Sequence, residues 1–185
     1  MPTKDINHEL LKACIAQDQR AQRKLYEQFY GYAFNICLRY SRNEAEAGEM
    51  LNDGFLRVFK GLSSFRQDSS FKPWLKRVVI NSSLNYLRKK QTLLVSISDT
   101  AEPAFTDISL SGLQYQDILV AIQHLPPMYR SVFNLYEIEG YSHQEISKAL
   151  KISAVTSRSN LMRAKTKLKV MLRDYSTHGK INYQV

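Results

Sequence analysis

Apolar side chains recur at helical intervals through most of the chain, and the places where the interval fails divide it. Leu25, Phe29, Tyr32, Ile36 and Tyr40 advance by four, three, four and four positions, which sets one face of a helix. Asn43 stands where it can cap a second helix, whose buried stripe is Leu51, Phe55, Val58 and Leu62. Glu46, Glu49, Asp53 and Arg57 form the opposite stripe and are expected to be exposed. Gly54 inside this helix costs about 1 kcal/mol relative to alanine, which invites a close helix approach as its reason. A polar loop over 63–70 follows. Ser70 can then cap a helix that runs to about Lys90, with Pro73 tolerated in its first turn. On that helix Leu75, Val78, Ser82 and Tyr86 lean one way. Trp74, Arg77, Asn81, Asn85 and Arg88 descend another face by three, four, four and three.

No period holds over 91–112, where Thr, Ser, Asp, Pro and Gly are frequent; this reads as a linker. Helical spacing resumes at Leu113, with Ile118, Ala121, Ile122 and Leu125 on one face. Pro126 and Pro127 stop that helix and start the next, which holds Val132, Phe133, Leu135 and Tyr136 and ends at Gly140. Ser142 with Glu145 is a capping box, followed by Ile146, Ala149 and Leu150 on one face. Ser153 can cap a last helix striped by Leu161, Ala164 and Leu168, and from about Ser176 the chain is expected to fray. The pattern predicts an all-α protein of two helical domains, 1–90 and 113–175, with a flexible linker over 91–112 and a tail over 176–185.

Charge sharpens this division. The 185 residues carry net +9, distributed as +1 over 1–60, +6 over 61–90, −5 over 91–140 and +7 over 141–185. A single basic tail would not look like this; two contact surfaces for a polyanion would. Cys14 and Cys37 sit among apolar residues and read as core packing, and with no signal peptide a reduced, cytoplasmic setting follows. His8, His124, His143 and His178 lack metal-ligand spacing, and no apolar run approaches the ~20 residues of a membrane span. There is no Gly-rich phosphate loop, nucleophile elbow or carboxylate pair, so no catalytic residue, metal or cofactor is predicted, and the chain is not read as an enzyme.

The two basic segments carry the candidate chemistry. Residues 142–169 have the layout of a helix-turn-helix whose second helix enters a major groove. Arg158, Ser159, Met162 and Arg163 are the groove-facing candidates; Thr156 and Lys165 are better placed for phosphates. The plainer alternative is a helical hairpin with a solvated basic face. The stripe Trp74, Arg77, Asn81, Asn85 and Arg88 suits a nucleic acid strand: guanidinium groups neutralise phosphate, amides reach base edges and aromatics stack on unpaired bases. Its alternative is a solvated face with Trp74 in the core. In the loop before it, Phe65, Arg66, Gln67 and Asp68 could cup an extruded base, offsetting an unstacking cost of a few kcal/mol.

Two stretches together carry a family resemblance. One is 44–59 (EAEAGEMLNDGFLRVF), continued by Phe71-Lys72-Pro73-Trp74-Leu75, Asn81, Asn85 and Arg88. The other is Leu125-Pro126-Pro127, Val132-Phe133, Glu139-Gly140-Tyr141-Ser142 and Glu145-Ile146 through Arg163-Ala164-Lys165. Over roughly 20–90 and 113–170 the chain resembles bacterial RNA polymerase sigma factors of the extracytoplasmic-function type, group 4 of the sigma-70 family, which keep only regions 2 and 4. The resemblance implies that Glu46, Glu49, Asp53 and Arg57 dock on the β′ clamp helices of core polymerase. It implies that the 63–70 loop and the 71–90 helix, with Phe65, Arg66, Asp68, Trp74, Arg77, Asn81, Asn85 and Arg88, melt the −10 element and hold its non-template strand. Region 4 would read the −35 duplex and touch the β flap, and the acidic linker would thread the polymerase channels. An anti-sigma factor or another recruiting protein is an implied further partner. Two residues depart from the family pattern: Lys151 where the turn usually has Gly, and Val155 where Gly is frequent, which puts −35 specificity in question. Two competing readings remain at this point, a stand-alone regulator using only the helix-turn-helix and a helical adaptor that binds polymerase without promoter DNA.

Overall fold

The structure is a computed structural model describing residues 6–66, 69–94 and 115–178, and among these residues the regular structure is helical throughout. The chain divides into two compact units, Met1–Gln91 and Thr92–Val185.

In the first unit, Asn7 caps α1 (His8–Ile15) by accepting from the Glu9 N–H at 2.8 Å. Asp18 caps α2 (Gln19–Tyr40) by accepting from the Ala21 N–H at 2.7 Å. Helix α2 buries Leu25, Phe29, Ile36 and Tyr40 as the spacing predicts. Tyr32 departs from the expectation and is 36% exposed. The step from Phe29 is four residues, to buried Ala33, which leaves Tyr32 turned outward. Asn43 caps α3 (Glu44–Gly61), accepting from the Glu46 N–H at 2.9 Å. Leu51, Phe55 and Val58 are buried, as is Leu62 in the short 3₁₀ turn Leu62–Ser64.

Helix α4 (Phe71–Leu94) touches both α2 and α3. The Phe29 and Phe71 rings are 5.0 Å apart, and the Ser83 hydroxyl reaches the Cys37 sulfur at 3.9 Å. Burial pushes the Cys37 thiol up to about 12, so it stays protonated and inert. Gly54 of α3 faces Val79 of α4, but a Cβ at Gly54 would stand 3.6 Å from Val79 Cγ2, an ordinary van der Waals contact, so the packing there does not require glycine. Coverage from two sides widens the buried set of α4 to Phe71, Leu75, Val79, Ile80, Ser82, Ser83 and Leu84. Val78 and Tyr86, expected on the inner face, are only half-buried. The helix also continues four residues past the expected end at Lys90, into the segment assigned to the linker. The rest of that linker, and Leu113, lie outside the described residues.

In the second unit, α5 (Tyr115–His124) buries Leu119, Ala121 and Ile122, whereas Ile118 is 41% exposed. Pro127 opens α6 (Pro127–Phe133) at its first position, where a missing N–H costs nothing. Ala121, Ile122 and Leu125 pack on Ala164 and Leu168 of α8 (Ala154–His178), with Tyr129, Phe133, Met171 and Leu172 around them. Arg130 is also buried. Its Nη2 donates to the Gln123 carbonyl at 2.6 Å and the Leu125 carbonyl at 2.9 Å, which satisfies acceptors left over at the end of α5. After α6 the helix widens into a π turn, Asn134–Ile138, and ends at Gly140, whose φ of 75° suits glycine. Helix α7 (His143–Leu150) follows. Helix α8 runs to His178, past the fraying expected from Ser176; residues 179–185 lie outside the described residues.

Candidate nucleic-acid interface

The capping box at the start of α7 is complete. Ser142 Oγ accepts from the Glu145 N–H at 3.3 Å, and Glu145 Oε2 accepts from the Ser142 N–H at 2.8 Å. The Ser142 backbone and hydroxyl bonds hold the Glu145 carboxyl below its ordinary range. Lys151 then turns the chain with φ 56° and ψ 43°, and the Ile152 N–H returns to the Ser147 carbonyl at 3.2 Å. The turn therefore keeps the left-handed conformation despite a side chain, at about 1–2 kcal/mol of steric cost. Ser153 Oγ accepts from the Thr156 N–H at 2.9 Å and lies 2.8 Å from Thr156 Oγ1, so the Thr156 hydroxyl belongs to the cap of α8 while its side chain is exposed.

A short polar network fixes the rotation of α8. Buried Ser157 bonds His143 Nδ1 at 2.9 Å, and the His143 ring stacks on Tyr136 at 4.5 Å. Burial, and then the charge of Arg158, lowers the His143 pKa. Lys165 Nζ is 2.6 Å from Glu137 Oε1 in the π turn. Lys165 thus already has an anionic partner, which weakens its expected role as a phosphate contact.

With about 100° per residue, the inward set of α8 is Ser157, Asn160, Leu161, Ala164 and Leu168, all buried. The outward midline is Val155, Ser159 and Met162. Arg158 and Arg163 are exposed on its two shoulders. The expected groove-facing residues therefore share one surface, and Val155 joins them.

On α4, Arg77 and Asn81 are exposed. Asn85 and Arg88 are half-buried, and Arg88 Nη2 donates to Asn85 Oδ1. Trp74 is half-buried, with ring centroids 5.1 Å from Phe65 and 5.5 Å from Phe71. Phe65 corrects an expectation. It is 5% exposed and meets Phe71 edge-on at 5.4 Å, so it anchors the loop to the core and presents no face to a base. Arg66 is exposed; Gln67 and Asp68 lie outside the described residues.

On α3, Glu46 is the second correction. It is 5% exposed; its Oε2 accepts from the Arg42 N–H at 2.5 Å and its Oε1 pairs with Lys90 Nζ at 2.8 Å. One buried carboxylate thus caps α3 and ties it to α4. Glu49 and Arg57 are exposed and Asp53 is half-buried. Glu49 accepts a hydrogen bond from the Tyr86 hydroxyl, which pushes the Tyr86 phenol well above its ordinary value. The outward face holds a residue that the charge pattern concealed. Leu56 is 58% exposed, three residues after Asp53 and seven after Glu49, so helical spacing alone could have placed it there.

Among the described residues, no group of three His, Cys, Asp or Glu could hold a metal, and no helix is long and apolar enough to cross a membrane. Residues 25–92 match sigma-70 region 2 and residues 115–168 match sigma-70 region 4. The chain is 27% identical over 179 residues to the RNA polymerase sigma-H factor of Pseudomonas aeruginosa, covering 89% of this chain and 93% of that protein. It is 26% identical over 166 residues to the extracytoplasmic-function sigma factor SigM of Mycobacterium tuberculosis, covering 90% and 84%. The fold is similar to that of sigma factor RpoE of Bartonella quintana, solved with the anti-sigma factor NepR (TM-score 0.51, 18% identity, covering 81% of this chain and 95% of that one). With both family regions present in order, the chain belongs to the sigma-70 family, as an RNA polymerase sigma factor of the extracytoplasmic-function type.

Proposed function

We propose that the work of the sigma factor divides among three surfaces. Glu49, Asp53 and Arg57, with Leu56 at their centre, dock on the β′ clamp helices. Arg66, Trp74, Arg77, Asn81, Asn85 and Arg88, with Asp68, hold the melted −10 strand, Trp74 offering only the part of its ring that the Phe65–Phe71 cluster leaves uncovered. Arg158, Ser159, Met162 and Arg163 read the −35 duplex, with Thr156 and Lys165 near its phosphates. Glu46 and Phe65 serve the fold that presents these surfaces. The 91–112 segment connects the two DNA-binding domains, and the work is done in the cytoplasm, where core polymerase and the promoter meet.

The protein itself is a non-enzymatic initiation subunit that binds core RNA polymerase, recognises −10 and −35 promoter elements and promotes transcription initiation. The observation that carries the assignment of surfaces is the different chemistry of two outward helix faces. That of α3 sets an exposed leucine among side chains of both charges, Glu49, Asp53, Arg57 and Lys60, an apolar centre with a polar rim as in a protein-docking patch. That of α8 is flanked by guanidinium groups, the composition of a groove reader. An anti-sigma factor is a further partner in this reading, as RpoE has in NepR.

Charge reversal at Glu49 and Asp53 together tests the docking face. Affinity for purified core polymerase is expected to fall at least tenfold with helicity unchanged. Unchanged affinity would reject the docking assignment.

A further inference from the structure

Val155 is 72% exposed and Met162 66% exposed, the two most exposed large apolar side chains among the described residues. They are seven residues apart, two helical turns, so they share the outward midline of α8 with Ser159 between them. Solvated apolar side chains on the outer face of a helix contribute nothing to its packing. Their position, flanked by Arg158 and Arg163 within a segment of net +7, limits what can cover them: the occupant must be anionic and must offer small apolar groups between its charges. The major groove of DNA does so through thymine, whose C5-methyl stands beside acceptor atoms on the groove floor.

We propose that Val155 and Met162 read thymine methyl groups in the −35 element, so that specificity there comes from apolar contact as well as from hydrogen bonds. This rests on the assignment of α8 to the −35 duplex. The valine at the position where the family often has glycine is then a specificity determinant that adds an apolar contact to the groove surface. The two side chains are about 10 Å apart along the helix axis, which corresponds to about three base-pair steps. The contacted thymines are therefore expected near the two ends of the base-pair set read by this helix, with Arg158 and Arg163 engaging phosphates or guanine between and beside them.

The test uses the full chain reconstituted with core polymerase. Transcription from a promoter library randomised at −35 identifies the preferred element. Each thymine of that element, on either strand, is then replaced singly by deoxyuridine, which removes only the methyl, and holoenzyme affinity is measured by competition. At two positions deoxyuridine is expected to weaken binding about fourfold, the worth of one buried methyl-sized group. Val155→Ala should erase this sensitivity at one position and Met162→Ala at the other. Both residues are exposed, so neither change should unfold the helix. A preferred element without A·T pairs overturns the proposal. So does full-strength binding to every deoxyuridine promoter, or uracil sensitivity that persists in both variants; in these cases a protein partner becomes the better occupant. Transcription that responds to −10 sequence but is flat across the −35 library would reject the assignment of α8 itself, a result distinct from a preferred −35 element read without methyl contacts.

Discussion

Removing the Glu46 carboxylate should destabilise the first unit without weakening the polymerase-docking face. Glu46 is 5% exposed and makes two charge-assisted contacts, to the Arg42 N–H at 2.5 Å and to Lys90 Nζ at 2.8 Å. The first is a helix-start bond of a charged acceptor, worth about 1.5 kcal/mol. The second is an ion pair whose lysine side chain is 41% exposed, so it is discounted to about 0.5 kcal/mol. Together they predict a loss of about 2 kcal/mol in Glu46→Ala, and with a urea slope near 2 kcal/mol per molar this lowers the unfolding midpoint by about 1 M. Trp74 is the sole tryptophan and packs against both Phe65 and Phe71, so its fluorescence reports the first unit by itself. The Glu49 and Asp53 reversal should do the opposite, leaving the Trp74 transition in place while reducing polymerase affinity. If Glu46→Ala kept its urea midpoint and lost polymerase binding instead, the reading of Glu46 as an internal cap and tie would be refuted.

Lys151→Gly should stabilise the second unit by about 1 kcal/mol in a urea titration followed by circular dichroism, because the left-handed turn carries a side-chain penalty that glycine lacks; destabilisation would contradict a strained turn. His143 has a lowered pKa in the fold, so between that value and the unfolded pKa of about 6.5 the unfolded chain binds more protons. Its contribution to stability is then complete above about pH 6.5 and is lost as pH falls through the folded pKa. His143→Gln should flatten the fall in melting temperature below that pH, and a variant that keeps the wild-type slope would exclude His143 as its source.

What could be read in the sequence was the chemistry that acts over short range. Asn43, Ser142 with Glu145, and Ser153 cap where they were expected to, since a cap joins a side chain to a backbone N–H within three residues. Leu51, Phe55 and Val58 gave the inner face of α3 for the same reason. Glu46 could not be separated from Glu49 and Asp53 by period, because the burial of its carboxylate depends on Lys90, a residue 44 positions away. Phe65 sits in a polar loop whose composition implies exposure, and its ring contacts with Phe71 and Trp74, residues of the next helix, hold it inward. On α4 the inner face was drawn too narrow, since a helix covered from two sides loses the contrast between faces on which periodicity depends. Leu56 and Val155 are the reverse case: apolar residues that the spacing leaves outside, where the structure finds them exposed.

Run-off transcription with purified core polymerase tests the account at its centre, comparing a duplex promoter with the same promoter pre-melted across the −10 element. The wild-type chain should direct initiation from both templates. Asn81→Ala, at an exposed position on α4, should reduce open complexes on the duplex at least several-fold more than on the pre-melted template. Equal loss on both templates would contradict a melting role for this helix, and no initiation from either template by the wild-type chain would contradict the account as a whole.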